Sequence, residues 1–427
     1  MSRLVDKVGE LALYARLCEE YGAQGADERV RALEATVEET IRALRALPQD
    51  EAMRAAEPDD YRTILALREP TCAAPDPHIG REAYRDKLLG AMLARFAGCT
   101  LGAIVEDWPV ARMAQWAQTC GDAFPPVDYW SRADMPEDRR LYKVSAKRSY
   151  TRGNLNGVPV DDDVTYTLLG LLIAERYGLD FTVRDVGGAW LAWLPVACTA
   201  EDIALENLKR GIPAEQAADV DNPFCQWIGA DIRSDPWGYI AAGHPEKAAA
   251  MAYQDAYLSH RRNGIYGEMF LAAAQAAAFV ARDAREALTL GLGQIPKDCA
   301  LAKDVRWALA TADELADWRE ARARVDARFP GMAAVHTNNN MCLMIFGLLL
   351  GGTDVTRVLG ETVAMGLDND CTAASAGSIV GALVGAQRIP PQWTRGFNNR
   401  VLSYLNDHPV FYLDDLVNRF ERLHRML

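Results

Sequence analysis

A chain of 427 residues, half of them hydrophobic and a quarter charged, can bury a large core, and its length accommodates one big domain or two to three small ones. Its 46 Lys and Arg against 59 Asp and Glu leave a formal net charge of −13. That balance argues against nucleic acid or an anionic membrane surface as partner, because phosphate would repel the chain at long range.

The nine cysteines are scattered, odd in number and without a Cys-x-x-Cys pair. They form neither a disulfide framework nor a zinc ribbon, and point to reduced thiols in a cytosol-like compartment. The start of the chain has no apolar signal core, since Asp6, Lys7 and Glu10 interrupt it. The longest uncharged apolar runs, around 189–200 and 341–352, fall short of the roughly 20 residues that span a bilayer. A soluble cytoplasmic protein is expected, with no membrane and no nucleic acid among its partners.

In chain order, Leu4, Val8, Leu11 and Ala15 recur at helical spacing, as do Val30, Leu33, Val37, Ile41, Leu44 and Leu47. This predicts a helical hairpin, its second helix capped by Asp27 and stopped by Pro48. The Pro-rich run from Glu69 to His78 reads as a boundary between a helical extension over 1–80 and a main domain over 81–427. Helices are expected near 82–104, 163–177, 183–194, 246–258, 265–290, 300–325, 337–350, 355–365, 370–386 and 411–425. Alternating β-type runs are nearly absent, so the fold class is all-α. The stretch 107–160, with Trp108, Trp116 and Trp130, has no sustained period and is read as irregular. Two rows of small residues, Gly90, Ala94, Gly98, Gly102 and Gly377, Gly381, Gly385, recur every four residues. Glycine in a helix costs about 1 kcal/mol relative to alanine, so such rows suggest closely packed backbones.

Two concentrations of acid open apolar or small-residue helices. Asp161, Asp162 and Asp163 precede Val164–Ile173, and Asp368 and Asp370 precede the small-residue helix that begins at Cys371. One aspartate suffices to cap a helix; three in succession repel one another unless solvent or a cation intervenes. Both a solvated cap and a metal site fit the first motif alone. If the two motifs, about 205 residues apart, face each other, five carboxylates make a hard-oxygen site suited to Mg²⁺, Mn²⁺ or Ca²⁺ and not to zinc. Glu106, at the end of the first glycine row, is by itself an ordinary solvated side chain.

The motifs, their order and their spacing resemble the ADP-ribosylglycohydrolase family, whose dinitrogenase-reductase-activating and acceptor-hydrolase members are all-helical, dinuclear-magnesium enzymes. Its opening G-D-A-x-G-x-x-x-E segment is matched by Gly98, Gly102 and Glu106, its T-D-D-T by Asp162 and Asp163, and its G-x-D-x-D-T by Gly366, Asp368 and Asp370. The segments around Leu258–Ile265 and Val335–Asn340 are similar too, so the likeness covers roughly residues 82–400. The chain departs from the pattern at Cys99, Asp161, Val164 and Cys371. Cys371 is a poor Mg²⁺ ligand because its sulfur is soft, and Thr372 replaces it only if the helix start shifts by one residue.

The resemblance implies a compact orthogonal helical bundle and cleavage of a ribosyl N- or O-glycosidic bond, releasing ADP-ribose from a small-molecule or protein acceptor. It assigns two Mg²⁺, with Mn²⁺ as substitute, to Asp161, Asp162, Asp163, Asp368, Asp370 and Thr372, and catalysis to Glu106, Asp162 and Asp163. Trp108, His260, His336 and Asn338 are candidates for substrate contact, each with a structural alternative as core tryptophan, buried histidine or helix cap. Other readings are a hydrolase of a different ribosyl or nucleotide substrate and a non-catalytic metal-binding or immunity protein. An isoprenoid synthase is more distant, since Thr165 and Tyr166 stand where its aspartate motif needs an acid.

Overall fold

The computed structural model describes residues 2–69, 76–133 and 146–427. It divides into two compact units, Met1–Ala55 and Ala56–Leu427. The smaller is the helical hairpin Ser2–Glu20 and Ala26–Arg45. Its turn uses Gly22 and Gly25 at φ of 73° and 84°, a region open to glycine because it lacks a Cβ. Gly25, not Asp27, occupies the cap; Asp27 lies in the first turn, where its charge faces the positive helix end.

The larger unit begins ahead of the Pro-rich run, so residues 56–69 pack with it. Ile64 is completely buried. Asp59 Oδ1 accepts the Arg262 backbone N–H at 2.6 Å, and Tyr266 donates to the Pro58 carbonyl. These contacts tie the segment to its unit across about 200 residues of chain.

Helices dominate the larger unit. The described strands are the antiparallel pair Arg400–Leu402 and Val410–Tyr412, with Val401 opposite Phe411. Two runs read as single helices are each two. Asp283 caps Ala284–Leu292 by accepting from Glu286 N at 2.9 Å, and Asp317 caps Trp318–Arg328 by accepting from Arg319 N at 2.9 Å. Within the stretch read as irregular, Val110–Cys120 forms a helix ended by Gly121 at φ 73°; residues 134–145 lie outside the described residues.

The seam that positions the site is made by the two small-residue rows. Helix Arg81–Gly102 runs against helix Asn369–Val384. A Cβ at Gly90 would stand 2.5 Å from Gly381 O, at Gly98 2.2 Å from Ala373 O, and at Gly102 2.4 Å from Asp370 Cα. Numbers rise on one helix as they fall on the other, so the pair is antiparallel. Backbone approach this close is open only to residues without side-chain bulk. Its consequence is geometric: the end of the first helix, leading to Glu106, meets the start of the second, at Asp368 and Asp370. No described helix is long and apolar enough to cross a membrane.

Candidate metal centre

Helix Asp162–Tyr177 brings the first acidic motif to this same end of the seam. Asp161 sits in extended backbone and caps the helix, its side chain accepting from Asp163 N at 3.2 Å. The cap therefore uses one aspartate of three. Asp368 occupies the cap position of Asn369–Val384 without spending its side chain on it. Asp162, Asp368 and Asp370 line one cavity of about 130 Å³ together with Glu106, Glu201, Cys198 and Cys371. Tyr166, Trp227, Ile228 and Ile232 supply apolar wall. The two acidic motifs thus meet.

Donor atoms fall into two groups: Cys99 with Asp161 and Asp163, and Asp368 with Asp370 and Cys371, each within 4.8 Å. Cys371 Sγ donates to Asp163 Oδ2 at 3.1 Å. The buried Arg95 guanidinium donates to the Asp163 carbonyl at 2.9 Å, lies 3.4 Å from its Oδ1, and pairs with Asp235 at 2.6 Å. Asp368 is oriented through its backbone N–H, which donates to Asn340 Oδ1 at 3.2 Å. Two non-glycine residues at positive φ, Asp107 (59°) and Leu367 (62°), clasp the loops beside the centre, Asp107 N–H donating to Leu367 O at 3.1 Å.

Electrostatically the aspartates crowd one another in a poorly solvated place. Burial, then repulsion from Asp162 and Asp163, holds the Asp161 carboxyl well above its usual range. Burial raises Asp163 against the pull of Arg95, and raises Asp370 with help from Glu106 and Asp368. Asp368 is pushed up to about 7, again mainly by burial. Asp368 Oδ1 and Asp370 Oδ1 have no hydrogen-bond partner among the described residues, although the residues are only 5 % and 4 % exposed. Buried carboxylate oxygens without partners are costly unless a cation supplies the missing charge. The residues present therefore fit divalent cations.

Glu106 stands at the mouth with about two-fifths of its side chain exposed, 3.5 Å from Lys147 Nζ. Partial burial pushes its carboxyl up; Lys147 pulls it down and Asp162 adds to the rise. Across the cavity Glu201 ion-pairs with Arg233 at 2.6 Å; Arg233 also holds Asp255 at 2.6 Å and lies 3.5 Å from Glu268.

Several expected residues lie elsewhere. Thr372 lines a separate small cavity with Asp231, Asn340 and Ser375, so the helix has not shifted and Cys371 holds the position beside the aspartates. Trp108 is not among the residues lining the acidic cavity; it packs edge-on against Trp116 at 6.2 Å and carries Arg112 at 3.7 Å above its ring. His260 is fully buried, bonded through Nδ1 to Ser259 Oγ at 2.8 Å, and held well below its usual pKa by burial and then Arg233. His336 caps Thr337–Gly351, and Asn338 donates to Asp304 Oδ2 at 2.7 Å; neither lines the cavity. The sequence by itself assigns no role at the site to Cys99, Arg95, Tyr166, Glu201 or Trp227, which the structure places in or beside it. Only Cys99 carried a signal, as a departure inside a recognisable motif.

The profile of one family, ADP-ribosylglycohydrolase, matches residues 80–424. No curated protein matches the chain. Among solved structures it is similar to an ADP-ribosylglycohydrolase-related protein complex, at 21 % identity with a TM-score of 0.52, over 81 % of this chain and 99 % of the other. At that identity the likeness concerns the fold.

Proposed function

Because the chain belongs to the ADP-ribosylglycohydrolase family, we propose that it is a divalent-cation-dependent hydrolase that cuts a ribosyl N- or O-glycosidic bond and releases ADP-ribose from a modified acceptor. The observation that carries this reading is the meeting of Asp162, Asp368 and Asp370 in one cavity with Glu106 at its mouth. Asp161, Asp162, Asp163, Asp368 and Asp370 would hold the cations, with Mg²⁺ or Mn²⁺ suited to their oxygens. Bound cations would polarise ribose oxygens and lower the pKa of water.

The protein's own groups account for the rest. Glycosidic bonds break through an oxocarbenium-like state, and a rim of carboxylates favours the positive charge that develops at the anomeric carbon. Glu106, its carboxyl raised from the ordinary range, is placed to take a proton from the attacking water. Tyr166, Trp227, Ile228 and Ile232 narrow the access of bulk water to the reacting bond. Asn340 and Arg95 fix the backbone on which Asp368 and Asp163 ride.

Purified full-length protein incubated in turn with Mg²⁺, Mn²⁺ and Co²⁺ is expected to release ADP-ribose from an ADP-ribosylated arginine, serine or nucleotide. Glu106→Gln should lower turnover by about 10²-fold or more. Absence of release from all three substrates with every cation would overturn the proposal.

A further inference from the structure

The two donor groups at the centre are not made of oxygen alone. Each contains a buried thiol: Cys99, 1 % exposed, beside Asp161 and Asp163, and Cys371, 8 % exposed, beside Asp368 and Asp370. Asp163 joins them, since it shares a group with Cys99 and accepts from Cys371 at 3.1 Å. The neighbouring hydroxyl that would restore an oxygen, on Thr372, lines a different cavity. Both unpartnered carboxylate oxygens, on Asp368 and Asp370, belong to the group that holds Cys371.

Mg²⁺ demands a near-ideal octahedron of oxygens at 2.0–2.1 Å and dehydrates reluctantly, so a sulfur facing its site is a wasted position. Borderline ions differ. Zn²⁺ and its neighbours bind sulfur at about 2.3 Å as readily as they bind carboxylate oxygen. We propose that the centre is a mixed carboxylate–thiol site that prefers a borderline divalent cation (Zn²⁺, Co²⁺ or Fe²⁺) to Mg²⁺, with Cys371 as a direct ligand and Cys99 as a second one, each thiol releasing its proton to solvent as the cation binds. The selection is a property of the protein and holds whatever the acceptor of the ribosyl group. It rests on the reading of the aspartates as a cation centre.

The test is a Co²⁺ titration of the reduced, metal-free full-length protein, followed by absorption. The expected result is a thiolate-to-cobalt charge-transfer band that grows to saturation and that Mg²⁺ removes only in large excess. Cys371→Thr should lose most of the band and weaken Co²⁺ binding by at least the roughly 10–100-fold met when groups that only support a metal ligand are removed, while Mg²⁺ still binds. Cys99→Ser should lose the remainder, and Cys371→Ser serves if the threonine variant does not fold. Co²⁺ that binds without the band, or that Mg²⁺ displaces at equal concentration, would overturn the inference and leave an oxygen-only cation centre standing. A band that persists in the Cys99→Ser, Cys371→Thr double variant would overturn it too, assigning the sulfur to Cys198 or the exposed Cys18. If calorimetry detects no binding of Mg²⁺, Mn²⁺ or Co²⁺, the proposed cation centre itself falls.

Discussion

Two clusters of buried carboxylates in the larger unit solve the same problem differently. Around Arg233 the acids Glu201, Asp255 and Glu268 gather on a guanidinium that the chain itself supplies, and Trp237 Nε1 donates to Glu268 Oε1 at 3.0 Å. At the other cluster Arg95 serves Asp163 and Asp235, and the unpartnered oxygens of Asp368 and Asp370 find no donor among the described residues. A cluster whose countercharge is built in is framework. One whose countercharge must come from solution is poised to bind. Glu201 connects the two, as a partner of Arg233 that also lines the acidic cavity.

The sharpest way to break this contrast is to remove charge from each side. Arg233→Met leaves three buried acids without their cation, and stability should fall by about 3–5 kcal/mol whether or not divalent ions are present. Asp162→Ala should leave the metal-free protein close to wild type in denaturant unfolding. It should instead lose the added stability that a cation confers, about 2.7 kcal/mol at a hundredfold excess over Kd. If both variants respond to cations alike, the distinction between framework and site fails.

A pH series divides the clusters next. Burial pushes Asp368 and Glu201 each up to about 7 in the folded chain, against about 4 when unfolded. The folded state thus holds these protons more tightly than the unfolded one. Their stabilising contribution is complete below about pH 4 and is lost as pH rises through 7, by up to about 4 kcal/mol for each group. Metal-free protein should therefore be more stable at pH 5 than at pH 8. A saturating cation, or Asp368→Asn, should remove the Asp368 share of this slope, and Glu201→Gln should remove the other. Chemical denaturation across pH, with and without cation, measures both. A metal-free protein whose stability does not fall between pH 5 and 8 would contradict the account of either cluster.

What the sequence made legible follows from the same physics. The acidic starts at Asp161–Asp163 and Asp368–Asp370 stand out because like charges in succession are costly wherever they fold. The glycine rows stand out because a close helix contact repeats every turn, so its signature repeats every four residues. Glu201 and Arg95 leave no such trace. Each is a single charged residue in a helix, and whether it points to solvent or to a buried partner is decided by helices distant in sequence. Asp283 and Asp317 leave little trace because alanine-rich, helix-favouring sequence continues on both sides of each break, and an aspartate reads equally well as a solvated helix position or as a cap. The choice between Cys371 and Thr372 was open for a related reason: adjacent helix positions differ by about 100° in direction, and only the packing of the seam settles which one faces the aspartates.

The seam is also where framework and site are joined, and a single methyl group tests the joint. A Cβ at Gly98 would stand 2.2 Å from Ala373 O and 2.4 Å from Ala373 C, backbone atoms that cannot swing aside. Ala373 lies three residues beyond Asp370 on the same helix, so Gly98→Ala must push that helix start away from helix Arg81–Gly102 and shift Asp368 and Asp370 with it. Overpacking of this kind costs about 1–3 kcal/mol. Unlike Arg233→Met, it should also weaken cation binding, because the separation of the two donor groups sets the site. Gly9→Ala is the matched control: nothing lies within 4 Å of its Cβ, it sits in the hairpin helix Ser2–Glu20, and helix propensity alone should favour the alanine by about 1 kcal/mol. Thermal melts with calorimetric cation titration separate the cases. A Gly98→Ala protein that loses stability yet binds cations as tightly as wild type would show that the seam holds the helices together without setting the distance between the acids.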